Sequence, residues 1–373
     1  MDILVLGAGM MGRAIAFDLM NYSNFNKITI ADMVKNNLNS TRKFLKNDNI
    51  KFEILNINNK KSLKKQFFNN DVVISAVPYD YNFKLTQLAI NTNTHFLDLG
   101  GNNKVVDLQR SLFKKARDNL VTIIPDCGLA PGLTSVLTHN IVDNFDTVDY
   151  IKIRVGGLPI DPKPPLNYQI VFSPNGLFNE YLEDAIVLDN EKIIKKKSMT
   201  EIEDIIFPKP FGKMEAFITS GGCSTMPYTF KQKINHLDYK TIRYPGHCKK
   251  FKELLNIGKE NELSREQMIS KLYDIVPIGK KDVVLIRIIS YGIKNDKKIN
   301  LIYEIIDYFD EQNNITSMMR ATGYPVSIIA QMIEKRIIYD FGVFGNEEII
   351  PPNIFIKELE KRNINLKIIE KYE

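Results

Sequence analysis

Gly7-Ala8-Gly9-Met10-Met11-Gly12 sets three glycines at GxGxxG spacing directly after the apolar run Ile3 to Leu6. Such a segment suits a main chain that must turn sharply and then face an anion. Gly7 permits the turn, Gly9 lets a pyrophosphate approach the backbone, and Gly12 lets the next helix pack tightly on the strand. A helix starting at Met10 and Met11 would offer its free N–H groups to the phosphates. Twenty positions beyond Gly12 stands Asp32, close after the second apolar run, Ile28 to Ile30. A carboxylate there accepts hydrogen bonds from an adenosine ribose; its plainer use is to cap the following helix. It also repels a 2′-phosphate, and Met33-Val34 provide no arginine, so NAD is expected over NADP, with Lys35 as the nearest neutralising cation. Ala76, Val77 and Pro78 follow the buried run Val72 to Ile74 and are expected to lie against the dinucleotide, unless Pro78 only ends a strand.

The elements that must position these residues follow one rhythm for about 125 residues. Short β-branched runs (Ile3–Leu6, Ile28–Ile30, Phe52–Leu55, Val72–Ile74, Phe96–Leu97, Val121–Ile124) alternate with stretches of helical spacing (12–20, 35–46, 63–68, 83–90, 105–117). Strands without in-out alternation are covered on both faces, which predicts a doubly wound parallel sheet. From about Tyr150 prolines cluster, and longer alternating segments appear at Tyr168–Phe172, Glu215–Thr219 and Tyr239–Tyr244. A strand pair, Val283–Ile289 with Ile299–Ile306, brackets a Lys-Asn-Asp-Lys-Lys turn. These predict an α+β domain with an antiparallel or mixed sheet. Lys195-Lys196-Lys197 reads as a solvated hairpin tip. Helical spacing returns at Val326–Ile333 and Ile354–Glu360.

Composition narrows the classes. The 373 residues are 44% hydrophobic and 25% charged, as in folded globular chains of two or three domains. A net charge of +6 is small beside 50 basic and 44 acidic side chains, so no nucleic-acid partner is expected. Three cysteines cannot all pair, and four histidines without CxxC or HExxH spacing predict no metal site. No apolar run approaches the ~20 residues of a membrane span. With no basic leader ahead of the first strand, the expected setting is cytoplasmic.

Several segments together resemble the saccharopine dehydrogenase-like family, in its lysine 6-dehydrogenase and saccharopine reductase branch. They are Ala76-Val77-Pro78, Asp98-Leu99-Gly100-Gly101-Asn102, Pro125-Asp126-Cys127-Gly128-Leu129-Ala130-Pro131-Gly132, Asn167-Tyr168, Phe172-Ser173-Pro174-Asn175-Gly176, Glu215-Ala216-Phe217, Lys240 to His247 and Met319 to Pro325. The resemblance implies an α/β fold: an N-terminal Rossmann domain (1–130), an inserted α+β domain for substrate and dimerisation (131–317), and a C-terminal segment (318–373) that returns to complete the first. It implies a homodimer and a small amino-acid substrate, most simply lysine, whose C–N bond is oxidised with NAD. Saccharopine, a carboxynorspermidine-type substrate and a non-catalytic NAD-binding redox sensor are the alternatives.

That chemistry assigns candidates. Arg243 would clamp the substrate carboxylate through paired hydrogen bonds, or else form a structural ion pair. Asp126 would bind the amino group or assist its deprotonation, or cap a helix at Leu133–Ile141. His247 would shuttle a proton near neutral pH, or simply pack. Tyr168, Ser173 and Asn175 are candidate ligand contacts, and Asn102 would position the nicotinamide amide or just end a strand. Cys127 reads as a small buried residue. The proton acceptor is left unassigned.

Overall fold

Strands hydrophobic on both faces have nowhere to go but the middle of a layered sheet, and the first six apolar runs do this. The computed structural model describes residues 1–47, 49–171, 173–276, 279 and 281–372. Its first part reads β1 (Asp2–Leu6), α1 (Met10–Tyr22), β2 (Lys27–Asp32), α2 (Lys35–Leu45), β3 (Ile50–Ile54), α3 (Lys60–Phe68), β4 (Val72–Ser75), α4 (Asn82–Asn91), β5 (His95–Asp98), α5 (Asn103–Arg110), α6 (Phe113–Asp118), β6 (Thr122–Ile124) and α7 (Leu133–Asp143). The second comprises β7 (Thr147–Pro159), α8 (Pro174–Leu182), β8 (Ala185–Asp189), β9 (Lys192–Lys196), β10 (Glu203–Phe207), β11 (Gly212–Ile218), α9 (Met226–Phe230), β12 (Ile234–Arg243), α10 (His247–Glu260), α11 (Arg265–Ile275), β13 (Asp282–Lys294) and β14 (Lys297–Tyr308). The chain closes with α12 (Ser317–Glu334), β15 (Gly342–Val343), α13 (Asn346–Ile349), α14 (Pro352–Glu360) and β16 (Lys367–Tyr372).

Two units result: Met1–Val136 with Met319–Arg362, and Leu137–Met318 with the chain from Asn363 onward. The first holds a parallel seven-stranded sheet, ordered β15-β6-β5-β4-β1-β2-β3. Strand order reverses between β1 and β4, whose carboxyl ends Leu6 and Ser75 are register partners. Ligands bind at such switch points in open α/β sheets. Leu4, Leu6, Phe67, Val73, Phe96 and Ile123 form the core on one face. The expected helix at 105–117 is broken into α5 and α6. The Ser111 hydroxyl bonds back to the Leu108 carbonyl at 2.6 Å, and Gln109 is drawn inward to Asp98; local side-chain bonds of this kind compete with helix propagation.

The second unit holds a mixed nine-stranded sheet, β10-β11-β12-β7-β13-β14-β16, with β8 on β12 and β9 on β8. β7 and β12 run parallel, while β13 and β14 form the expected long hairpin. Three expectations need correction. Tyr168–Val171 forms a single bridge at Ile170 and no strand: Asn167 adopts a positive φ of 50°, and the next four residues are all buried, so no two faces are separated. Phe172 lies outside the described residues. Lys195 and Lys196 sit inside β9, paired with Ile186 and Ala185, whereas the hairpin tip is Asn190-Glu191. Both tip residues have positive φ (49° and 60°), as a two-residue type I′ turn requires. Finally, β16 joins the second sheet instead of returning to the first, placing Ile368 and Ile369 opposite Tyr303 and Ile302. The free edge of β14 offers ladder groups that this alternating segment satisfies.

One buried ion pair closes the first unit. Arg362 donates Nε to Asp18 Oδ1 (2.6 Å) and Nη2 to Oδ2 (3.0 Å), and Gln331 Nε2 adds a third bond at 3.2 Å. Both charged groups are inaccessible. Removing one partner strands a charge in the interior, which costs about 3–5 kcal/mol, whereas replacing both with apolar groups is often neutral. Arg362→Met is therefore expected to lower unfolding free energy by that amount in urea titrations, and Asp18→Leu/Arg362→Met to recover most of it.

Candidate functional site

In the first unit, β1 delivers the chain to Gly7, whose φ of +99° only glycine holds comfortably. Gly12 lies so close to the Gly7 carbonyl that a Cβ would come within 1.8 Å of its oxygen. Gly9 differs: among the described residues no atom lies within 4 Å of where its Cβ would stand. The protein's own packing does not demand a glycine at that position, and the open space lies at the start of α1, beside the exposed Met10. Among the described residues α1 has no side-chain cap, and its first turn holds no acidic residue, so its terminal amides suit an anion. These residues fit a dinucleotide diphosphate.

Asp32 ends β2 with both oxygens engaged: Oδ2 accepts from the Ala8 amide (2.8 Å) and Asn37 (3.2 Å), and Oδ1 from the Val34 amide (2.7 Å). Since a carboxylate has about four acceptor positions, room remains for a hydroxyl donor. The residue thus braces the glycine loop as well as marking the sheet edge. Ala76 hangs from β1 through its amide to the Leu6 carbonyl (2.8 Å), and Pro78 leads into a short 3₁₀ turn at Tyr79–Tyr81. Asn102 caps α5, accepting from the Val105 amide at 3.3 Å.

A residue outside the expected set organises the other half of this edge. Asp98 is fully buried at the end of β5. It accepts from the Gly100 amide (2.8 Å), the Asp126 amide (3.3 Å) and Gln109 Nε2 (2.7 Å), while burial raises its pKa against those bonds. Asp126 itself is held in a left-handed conformation, φ 60°, with its carboxyl against the Gly100 backbone. Asn346 secures the same strand exit by donating to the carbonyls of Pro125 (2.9 Å) and Asp126 (3.1 Å). Because α7 starts at Leu133, its cap position is Gly132, so Asp126 is not the helix cap. Cys127 is buried, and burial with the Asp98 and Asp126 charges pushes its thiol well up, leaving it unreactive.

In the second unit, Arg243 at the end of β12 gathers Tyr168, Tyr181 and His247. Its Nε donates to the Tyr181 hydroxyl (2.8 Å) and Nη1 to the Ile242 carbonyl (2.9 Å). The guanidinium carbon lies 5.0 Å from the Tyr168 ring centroid and 5.7 Å from that of Tyr181. Burial alone would lower the pKa of Arg243, but the phenols of Tyr181 and Tyr168 and the Glu180 carboxyl raise it, so it stays charged.

His247 opens α10 and is buried, its Nε2 3.0 Å from the Tyr181 hydroxyl and its Nδ1 2.9 Å from the Leu166 carbonyl. A carbonyl only accepts, so Nδ1 carries the proton and Nε2 accepts from the phenol. Burial and the Arg243 charge push its pKa down to about 3. The ring is therefore neutral around pH 7 and orients Tyr181. Glu215 holds the turn beneath it, accepting from the amides of Gly246 and Cys248, both at 2.7 Å, as an anion at a helix N-terminus does.

Ser173 and Asn175 are not brought to this cluster. Both are exposed at the opposite end of α8, where Arg265 donates to the Asn175 carbonyl at 2.9 Å. Glu180, further along the same helix, was not among the expected residues, yet its Oε2 lies 3.9 Å from Arg243 Nη2. Nothing near Glu180 in sequence announces it; only the fold pairs it with Arg243. Among the described residues no group of three His, Cys, Asp or Glu side chains is arranged to hold a metal ion, and no helix is long and apolar enough to cross a membrane.

Residues 3–124 match the saccharopine dehydrogenase NADP binding domain and residues 128–364 the saccharopine dehydrogenase C-terminal domain. The mitochondrial alpha-aminoadipic semialdehyde synthase of Bos taurus is 21% identical over 96% of this chain, which covers 36% of that protein. The chain spans about a third of the length of the mammalian synthases it matches. The saccharopine dehydrogenase (NADP(+), L-glutamate-forming) of Schizosaccharomyces pombe is 22% identical, with 91% of this chain and 78% of that one covered. Among solved structures, apo saccharopine dehydrogenase (L-Glu forming) from Saccharomyces cerevisiae superposes with a TM-score of 0.81 at 19% identity over 99% of both chains. Homospermidine synthase from Legionella pneumophila, solved in complex with NAD, gives 0.70 at 13% identity over 100% of this chain and 91% of that one. These two share the fold. Two consecutive family models that take in nearly the whole chain show that it belongs to the saccharopine dehydrogenase family.

Proposed function

We propose that the protein oxidises a C–N bond of an amino acid with a nicotinamide dinucleotide, removing hydride from the carbon that bears the ε-nitrogen of lysine. A bound nicotinamide supplies the hydride acceptor. Within the second unit Arg243 would hold a carboxylate; within the first, Asp126 at the sheet edge would accept a proton or a hydrogen bond from the reacting nitrogen. An ammonium has no lone pair to expel hydride, so such a proton acceptor is required.

The observation that carries the substrate reading is the state of Arg154 and Arg243. Saccharopine has three carboxylates, and a site for it calls for more than one clamping cation. Arg154 is unavailable, being fully buried and bonded to Asp238 (2.8 and 3.2 Å) and to Glu203. Among the described residues Arg154 spends four of its five N–H donors and Arg243 only two, which favours free lysine. Saccharopine is the second reading, favoured by the names of the relatives. A glutamate-forming cleavage leaves the nitrogen on glutamate, so the same lysine-side carbon is oxidised. We read the cofactor as NAD because Asp32 ends β2 and exposed Met33 and Val34 follow it, although relatives are named for NADP.

Incubation with NAD or NADP and lysine, saccharopine or carboxynorspermidine, followed at the NADH absorbance, tests the reading. Turnover of lysine supports it, turnover of saccharopine alone moves it to the second, and dinucleotide binding without turnover refutes both. Asp32→Ala is expected to weaken NAD binding about tenfold or more, the ~1.5 kcal/mol or greater of a hydrogen bond to a charged group; unchanged affinity by fluorescence titration removes the ribose role. Arg243→Lys keeps the charge but loses the planar fork. It is expected to raise the amino-acid KM about tenfold or more while leaving NAD affinity unaltered.

A further inference from the structure

Arg243 uses two donors on Tyr181 and Ile242, and its Nη2 faces Glu180 across 3.9 Å, too far for a hydrogen bond. Among the described residues nothing donates a hydrogen bond to the Glu180 carboxylate, and 29% of its side chain is open to solvent while Arg243 is almost enclosed. A guanidinium and a carboxylate that stand side by side without closing on each other present one positive and one negative group a few ångströms apart. An α-amino acid carries the complementary pair, carboxylate and ammonium, on adjacent atoms of a single carbon. The walls of the pair are the rings of Tyr168 and Tyr181, which have no charge to compete.

We propose that Glu180 and Arg243 together form a recognition pair for the α-amino carboxylate end of the substrate, Arg243 taking the carboxylate and Glu180 the ammonium. This deepens the functional reading above and rests on it. It makes Glu180 a specificity-determining residue, one that separates amino acids from polyamines and from simple amino-carboxylates lacking the α-nitrogen.

The pair has a built-in pH dependence. Burial pushes Glu180 up to about 7, with Arg243 pulling it back. The other groups facing it do not change charge there. Tyr181 beside it on α8, Tyr168 from the preceding loop and Tyr239 on β12 are pushed up by burial, Arg243 stays cationic, and His247 on α10 is neutral. As pH rises from 6 to 8 Glu180 gains its charge, so its grip on an ammonium strengthens.

Calorimetric titration of the full chain with L-lysine and with 6-aminohexanoate, which is lysine without its α-amino group, tests the pair. The wild type is expected to prefer lysine about tenfold or more, and Glu180→Gln to shrink that preference to about twofold while binding 6-aminohexanoate within twofold of wild type. Lysine affinity is expected to rise roughly tenfold between pH 6 and 8 in the wild type and to stay flat in the variant. Equal loss toward both ligands, an unchanged preference, a wild type that binds lysine no better than its analogue, or no lysine binding at all would overturn the proposal. Lysine bound with the predicted preference but never oxidised would instead sink the dehydrogenase reading and leave the pair standing.

Discussion

A guanidinium inside a protein must be compensated by contacts, because burying a lone charge costs several kcal/mol, a large share of the net stability of a domain. Arg243 sets that condition on the second unit, and the surrounding chemistry is the answer to it. Two tyrosine rings turn their electron-rich faces toward the cation, a phenol oxygen and a main-chain carbonyl accept its hydrogens, and the imidazole nearby is kept uncharged. None of these is a full counter-charge. Among the described residues the carboxylate paired with it, Glu180, stands off at 3.9 Å. The cluster is thus ordered and electrostatically incomplete, the condition in which an anionic ligand gains most from binding.

The first unit meets a milder version of the same demand. Among the described residues no side chain caps the amides at the start of α1, and the helix carries no acidic residue in its first turn. At the neighbouring edge the buried Asp98 works in the opposite sense, a carboxylate whose needs are met by the amides of Gly100 and Asp126 and by Gln109. That bonding fixes the left-handed Asp126 in place. A flexible loop cannot hold such a backbone cheaply, whereas a loop pinned by a buried acceptor can.

The parallel sheet was legible because its signal is local. Apolar runs covered on both faces, helical spacing between them and glycines at GxGxxG positions all lie within a few residues of the features they specify. The β13–β14 hairpin was legible for the same reason, its turn being written in Lys294 to Lys298. The cluster around Arg243 was legible only in part. Arg243, His247 and Tyr168 stand in segments that resemble a known family. Glu180 and Glu215 matter through tertiary partners: Glu215 is 31 positions from the Gly246 amide it caps, and Glu180 is brought to Arg243 only once α8 lies against β12. Tyr168 to Val171 misled for a related reason, since alternation of residue types predicts a strand only when the two faces meet different surroundings. The Lys195–Lys197 run misled because charge marks solvent exposure, which edge strands share with turns.

The Asp18–Arg362 pair has a consequence for how the molecule is made. Its two halves are 344 positions apart. A ribosome adding roughly 5–20 residues each second needs about 17–70 s to cover that distance. The nascent parallel sheet lacks β15 at its β6 edge until Gly342 and Val343 are made, and the Asp18 carboxylate in α1 lacks Arg362 for the whole interval. The dinucleotide-binding unit, whose first strands precede the second unit in the chain, is therefore finished only when the last helices arrive, and until then its β6 edge has unpaired ladder groups.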